Sequence, residues 1–115
     1  MARARREAKI SREITDFLKL IGHAVYSTEQ GYRSARGGTR MSPGIPDLLV
    51  FGTGPELPFF FIEVKAPGGG KLRDSQVAFQ AECKRMNVPY LVAWDVRDVF
   101  DWLVERGVIE TAFAP

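Results

Sequence analysis

Between Ala4 and Ile21, the apolar residues Ile10, Ile14, Phe17, Leu18 and Ile21 recur at steps of three and four. That spacing lines one face of a helix, with Arg12, Asp16 and Lys19 on the wet side and Gly22 as its stop. Ala24 to Ser27 reads as a short strand, and residues 28–42 as a polar loop rich in Gly and Arg. At about fifteen residues, that loop is longer than the ~4–6 usual in compact domains, which implies function or disorder. Two short runs of strand-favouring residues follow, Ile45 to Phe51 and Phe59 to Lys65, broken apart by Gly52, Gly54, Pro55 and Pro58. They predict a β-hairpin whose strands are covered on both faces. Beyond it, Asp74 to Met86 predicts a helix with Gln76, Phe79, Cys83 and Met86 inward. Pro89 to Trp94 predicts a fourth strand. Asp95 then caps a last helix running to Arg106, with Val99, Trp102 and Leu103 on its buried side and Gly107 as its stop.

Charge interrupts the hairpin only at its open end. Antiparallel pairing about the turn near Pro55 puts Asp47 opposite Glu63, and strand alternation puts Glu63 and Lys65 on one face with Val64 on the other. Such charges can simply mark the water boundary of a strand. Next to strands this apolar, however, an unpartnered cluster is costly and calls for a partner such as a metal ion.

The chain has a single cysteine, Cys83, and a single histidine, His23. Disulfides, cysteine zinc sites and His-rich metal clusters are therefore excluded. Cys83 shares a helical stripe with Phe79 and Met86 and reads as packing, and His23, just past Gly22, as a surface or capping residue. Any metal must be held by oxygen, which favours Mg²⁺ or Mn²⁺.

Pro46-Asp47, then Glu63-Val64-Lys65 after a hairpin, resembles the PD-(D/E)XK nuclease signature, a loose pattern on its own. Its flanks are more specific: Ser-Pro-Gly-Ile-Pro-Asp before the hairpin, and Glu-Val-Lys-Ala-Pro-Gly-Gly-Gly-Lys-Leu with Gln76 after it. These resemble the VRR-NUC family, the virus-type replication and repair nucleases, from Glu7 to about Leu103. The family often has Ser-Pro at the helix entrance where this chain has Arg73-Asp74.

The resemblance implies a restriction-endonuclease-like α/β core, a central mixed four-stranded sheet flanked by helices. Periodicity alone gives an α/β domain with a hairpin and one parallel crossover between Lys65 and Pro89. The resemblance also implies metal ligation by Asp47, Glu63 and the Val64 carbonyl, and places Lys65 and Gln76 in the catalytic motif. Lys65 could orient water, lower its pKa or stabilise phosphorane charge. Glu7 lies on the inward stripe of the first helix, where it either complements the helix dipole or, as the resemblance favours, supports the site; Glu13 is the weaker candidate.

The activity implied is a Mg²⁺-dependent endonuclease acting on branched DNA such as four-way junctions, as a homodimer. The alternative is a non-catalytic nucleic-acid-binding or assembly module, against which the intact Asp47, Glu63 and Lys65 argue. A sequence-specific restriction enzyme fits poorly, since no target-recognition domain has room here.

Length and composition fit this picture. The 115 residues, 45% hydrophobic and 26% charged, suit one domain spanning 1–115. No apolar run is long enough to span a bilayer. The basic start, Met-Ala-Arg-Ala-Arg-Arg-Glu, has no apolar segment directly behind it, so secretion is not expected and the cytoplasm of a bacterial or phage-infected cell is. A net charge of +2 decides little. Its distribution is more useful, because Arg3, Arg5 and Arg6, then Arg33, Arg36 and Arg40, then Lys71 and Arg73 flank the proposed site. Arg33, Arg36 and Arg40 would grip phosphates while Tyr32 stacks on a base. Residues 66–71 invite a phosphate-loop reading, but Lys65 and Leu72 break that pattern, so nucleoside triphosphate binding is rejected. The apolar tail, Phe113 included, and Phe59 to Phe61 offer surface for a second copy, though burial within one subunit is the plainer account.

Overall fold

The structure is a computed structural model that describes residues 2–28 and 42–110, with side chains from residue 5 onward. Helix α1 (Ala2–Leu20) leads into β1 (Ala24–Ser27), β2 (Leu48–Phe51) and β3 (Phe59–Val64). Then come α2 (Asp74–Arg85), β4 (Tyr90–Ala93) and α3 (Val96–Glu105). The strands form one mixed sheet in the order β1-β2-β3-β4. β1 and β3 each pair antiparallel with β2, and β4 joins β3 in parallel after the α2 crossover. The expected elements are all present within one or two residues of their sequence-read ends, except β2, which begins at Leu48, three residues after Ile45.

Alternation along β3 divides the protein into two unequal faces. Phe60, Ile62 and Val64 point one way and are sealed at 0–2% exposure. Against them pack Ile10, Ile14, Phe17 and Leu18 of α1 and Val99, Phe100 and Leu103 of α3. Burying each such side chain is worth about 1.5–3 kcal/mol, so this layer holds the domain together. On the other face α2 covers only the β3–β4 side, where Phe79 meets Phe61 edge to face at 5.2 Å. Tyr26 and Phe51, over β1 and β2, remain 54% and 46% exposed. Among the described residues the sheet is therefore not covered on both faces as its apolar strands suggest, because the one helix on this side is too narrow to roof four strands.

Local stops follow the sequence. Gly22 and Gly107 take positive φ, and the following residues close the helix ends, with His23 N–H donating to the Leu18 carbonyl and Val108 N–H to that of Leu103. Asp95 caps α3 by accepting from Asp98 N–H at 2.9 Å. Phe100, on the same helix, also joins the core.

Two further expectations are corrected. Met86 is 61% exposed rather than inward, because α2 ends at Arg85 and the chain turns through Asn87 at φ 61°. His23 keeps a capping backbone but not a surface side chain. It is 4% exposed, edge to face with Phe60 and beneath the hairpin turn at Gly52.

Neither ring nitrogen of His23 has a hydrogen-bond partner among the described residues, and burial holds its pKa below the usual 6.5. The unfolded chain thus takes up the proton first. This contribution to stability is complete above pH ~6.5 and is lost as the pH falls below it. From pH 7 to pH 5 the Tm of the wild type should fall relative to that of His23→Phe, because the variant has no imidazole to take up a proton on unfolding. An unchanged slope in the variant would assign the acid loss elsewhere.

Candidate active site

Four polar side chains converge where the hairpin opens. The pairing of Leu48 with Ile62, continued by one residue, sets Asp47 across from Glu63, as the alternation predicts. Asp47 is held from two sides: its Oδ2 accepts from Val64 N–H at 2.8 Å, and its carbonyl accepts from Thr28 N–H at 3.0 Å. The Thr28 hydroxyl donates to the neighbouring Pro46 carbonyl. Lys65 lies just past β3, where its N–H donates to the Ala93 carbonyl at 2.9 Å.

Gln76 joins the cluster together. Its Nε2 donates to Glu63 Oε2 at 2.8 Å. Its Oε1 accepts from Arg73 N–H at 2.7 Å and from Lys65 Nζ at 3.4 Å. One amide thereby satisfies an open N–H at the start of α2, fixes a carboxylate and steers an ammonium. Glu63, Lys65 and Gln76 are 3%, 8% and 4% exposed.

Glu63 carries the electrostatic strain of the site. Burial first, and then the charge of Asp47, push its carboxyl up to about 8, against the opposing pull of Lys65 and Arg73. Its Oε1 is buried with no partner among the described residues. The Tyr90 hydroxyl is likewise unpartnered, and burial followed by the Glu63 charge holds its pKa above the usual range. A buried carboxyl with a bare oxygen beside a second carboxyl could hold a cation. The donor set is hard oxygen, which suits Mg²⁺ or Mn²⁺.

Glu7 comes close without joining the pair. With Ala8, Ser11, Asp47 and Val64 it lines a cavity of about 20 Å³, room for one water-sized guest. Among the described residues no group of three or more acidic, His or Cys side chains forms a metal cluster. Glu13 is exposed and lines a different groove with Phe17, Leu20 and Val96, so it does not reach the site. Lys71 and Arg73 are exposed on the loop between β3 and α2, where Gly68 and Gly70 take positive φ with open space around them. Arg33, Arg36, Arg40, Tyr32 and Phe113 lie outside the described residues.

Sequence reasoning did not single out Ser11, and it read Gly44 only as part of the Ser-Pro-Gly-Ile-Pro-Asp flank, without a packing role. Ser11 follows Glu7 by four, so the helical period would have placed it on the same face. Gly44, at φ 86°, presses its backbone onto the start of α2, where an added Cβ would stand 2.1 Å from the Ser75 carbonyl oxygen. That contact seats the Asp47 segment against the turn bearing Gln76. Gly44→Ala should therefore cost about 2 kcal/mol or more, measured by urea unfolding, and lower activity in the fraction still folded. A loss within 0.5 kcal/mol, taking about that as the scatter of neutral changes, would show that the contact does not matter.

An antiparallel hairpin with Asp, Glu and Lys at its mouth, set in a mixed sheet between helices, defines an α/β nuclease domain. The VRR-NUC domain profile matches residues 16–95, and the chain belongs to that family. The match includes Asp47, Glu63, Lys65 and Gln76 and begins beyond Glu7. The function is thus of nuclease type and the substrate a nucleic acid. The fold is similar to that of a solved structure described as a VRR_NUC domain, with TM-score 0.62 and 23% identity over 87% of this chain and 95% of that one. No curated protein matches significantly.

Proposed function

We propose that this chain is a metal-dependent endonuclease that hydrolyses DNA phosphodiester bonds, with branched DNA such as four-way junctions as substrate and a homodimer as the acting species. The observation that carries the reading is the bare, buried Oε1 of Glu63 beside Asp47. Asp47 and Glu63 would hold Mg²⁺ or Mn²⁺ together with the Val64 carbonyl, and Glu7 would assist from the cavity wall. Bound there, the ion would acidify a water and neutralise charge on the pentavalent state.

The remaining chemistry belongs to the protein. Lys65, tethered through Gln76, holds a cationic donor at the mouth of the hairpin, where it orients water or offsets phosphorane charge. Lys71 and Arg73, with Arg33, Arg36 and Arg40, supply salt-sensitive attraction to backbone phosphates. A domain of this size grips a junction poorly alone, and two equivalent cuts call for two sites related by a two-fold axis.

The test is incubation with four-way, flapped and linear duplex DNA, with and without Mg²⁺, alongside sedimentation at micromolar concentration. Mg²⁺-dependent cutting that favours the junction, by a dimer, is expected. A monomer that cuts linear duplex equally well would leave the nuclease and overturn the junction role.

A further inference from the structure

The half-open face of the sheet carries a run of aromatic rings that leads to the active site. Phe59 and Phe61 share the strand face of Glu63, two residues apart at each step, about 6.6–6.8 Å along the strand. Phe51 pairs with Phe59 in the ladder, and Tyr26 pairs with Leu49 on the same face. Neighbouring ring centroids lie 5.7 Å apart for Tyr26–Phe51, 5.9 Å for Phe51–Phe59 and 5.2 Å for Phe59–Phe61. At its inner end the run passes under α2 through Phe79, and at its outer end Tyr26 and Phe51 are about half exposed.

We propose that this outer face, Tyr26 and Phe51 with Phe59 behind them, is a stacking platform for unpaired nucleobases of the substrate. The inference rests on the nuclease reading and deepens it: the branched substrate presents bases left unpaired at its branch point, and these are held near the scissile bond. Two arguments favour bases over a second copy of the chain. Two half-exposed rings with a partly covered neighbour offer roughly 300 Å², taking ~150–250 Å² per aromatic side chain. A stable dimer needs about 800 Å² from each partner, whereas one or two bases need no more than the platform provides. The run is also continuous with the Glu63 face, so bases held on Phe51 and Phe59 lie four residues of strand, about 13 Å, from Asp47 and Glu63. Aromatic stacking of this kind tolerates any base sequence, which suits an enzyme that reads structure.

The test uses Phe51→Ala, Tyr26→Ala and Phe51→Trp in the full chain, each first shown to fold by circular dichroism. Binding is measured with a short oligodeoxynucleotide carrying 2-aminopurine, whose fluorescence is quenched on stacking, and cleavage is compared on flapped and fully paired duplex. Each alanine variant should weaken oligonucleotide binding and lower the flapped-to-paired cleavage ratio by about 5- to 150-fold, the range for one lost base stack. Phe51→Trp should restore both. Because binding is read without cleavage, an absence of any nuclease activity would leave this result interpretable. Equal quenching by wild type and the alanine variants would overturn the platform, as would a wild-type dimer that Phe51→Ala turns into a monomer.

Discussion

Replacing Lys65 with Ala should lower cleavage by about 10²–10⁴-fold, the usual worth of a positioned proton-transfer or charge-stabilising group, while DNA binding stays near wild type. Among the described residues the Nζ of Lys65 has one hydrogen bond, the 3.4 Å contact to Gln76, and its backbone, which the substitution keeps, makes the ladder bond to Ala93. Folding therefore does not depend on the ammonium. Because the stem is buried, Ala also removes packing, so Lys65→Met provides the control: volume kept, charge gone. Both variants should be equally inactive, with Met the more stable in thermal melts. Parallel loss of binding and cleavage in Lys65→Met would remove Lys65 from the chemistry.

Glu63→Gln should separate activity from stability. With its carboxyl pushed up to about 8 from 4.5, folded Glu63 keeps its proton where the unfolded chain has released it. Stability in metal-free buffer is thus highest below the unfolded value and falls as pH rises from about 4.5 through 8. This slope opposes that of His23, and the two single variants resolve them. A glutamine keeps the shape and the Gln76 neighbour without a charge to desolvate. At pH 8 and above, the metal-free variant should be more stable by ~1–3 kcal/mol, which raises Tm by about 3–6 °C per kcal/mol for a domain between the 100- and 150-residue classes. Metal-dependent cleavage should vanish, and Mg²⁺ or Mn²⁺ binding by calorimetry should weaken. Asp47→Asn should show the same loss of activity and of metal affinity. Unchanged metal affinity in both variants would exclude these carboxylates as ligands.

Much of this was readable along the chain because it is local. The three-and-four spacing of Ile10, Ile14, Phe17 and Leu18, the alternation from Phe59 to Val64 and the stops at Gly22 and Gly107 depend on neighbours within a turn or a strand. A hairpin also fixes its own register, so Asp47 opposite Glu63 followed from the position of the turn. Helix assignments failed at their ends, as at Met86, where one residue of chain turn moves a side chain from packing to solvent.

What sequence alone determined is the set of elements, the family signature and the identity of the charged residues at the hairpin mouth, since each is written in residue types at short spacings. Tertiary structure decided which groups lose water and which gain partners. Burial of His23 under the hairpin turn and the lodging of Gly44 against α2 depend on how distant segments dock. So do the three-way hydrogen bonding of Gln76, the bare oxygen of Glu63 and the uncovered rings of Tyr26 and Phe51. Desolvation and hydrogen bonding are properties of a place in space, and the periodicity of a chain carries no measure of them.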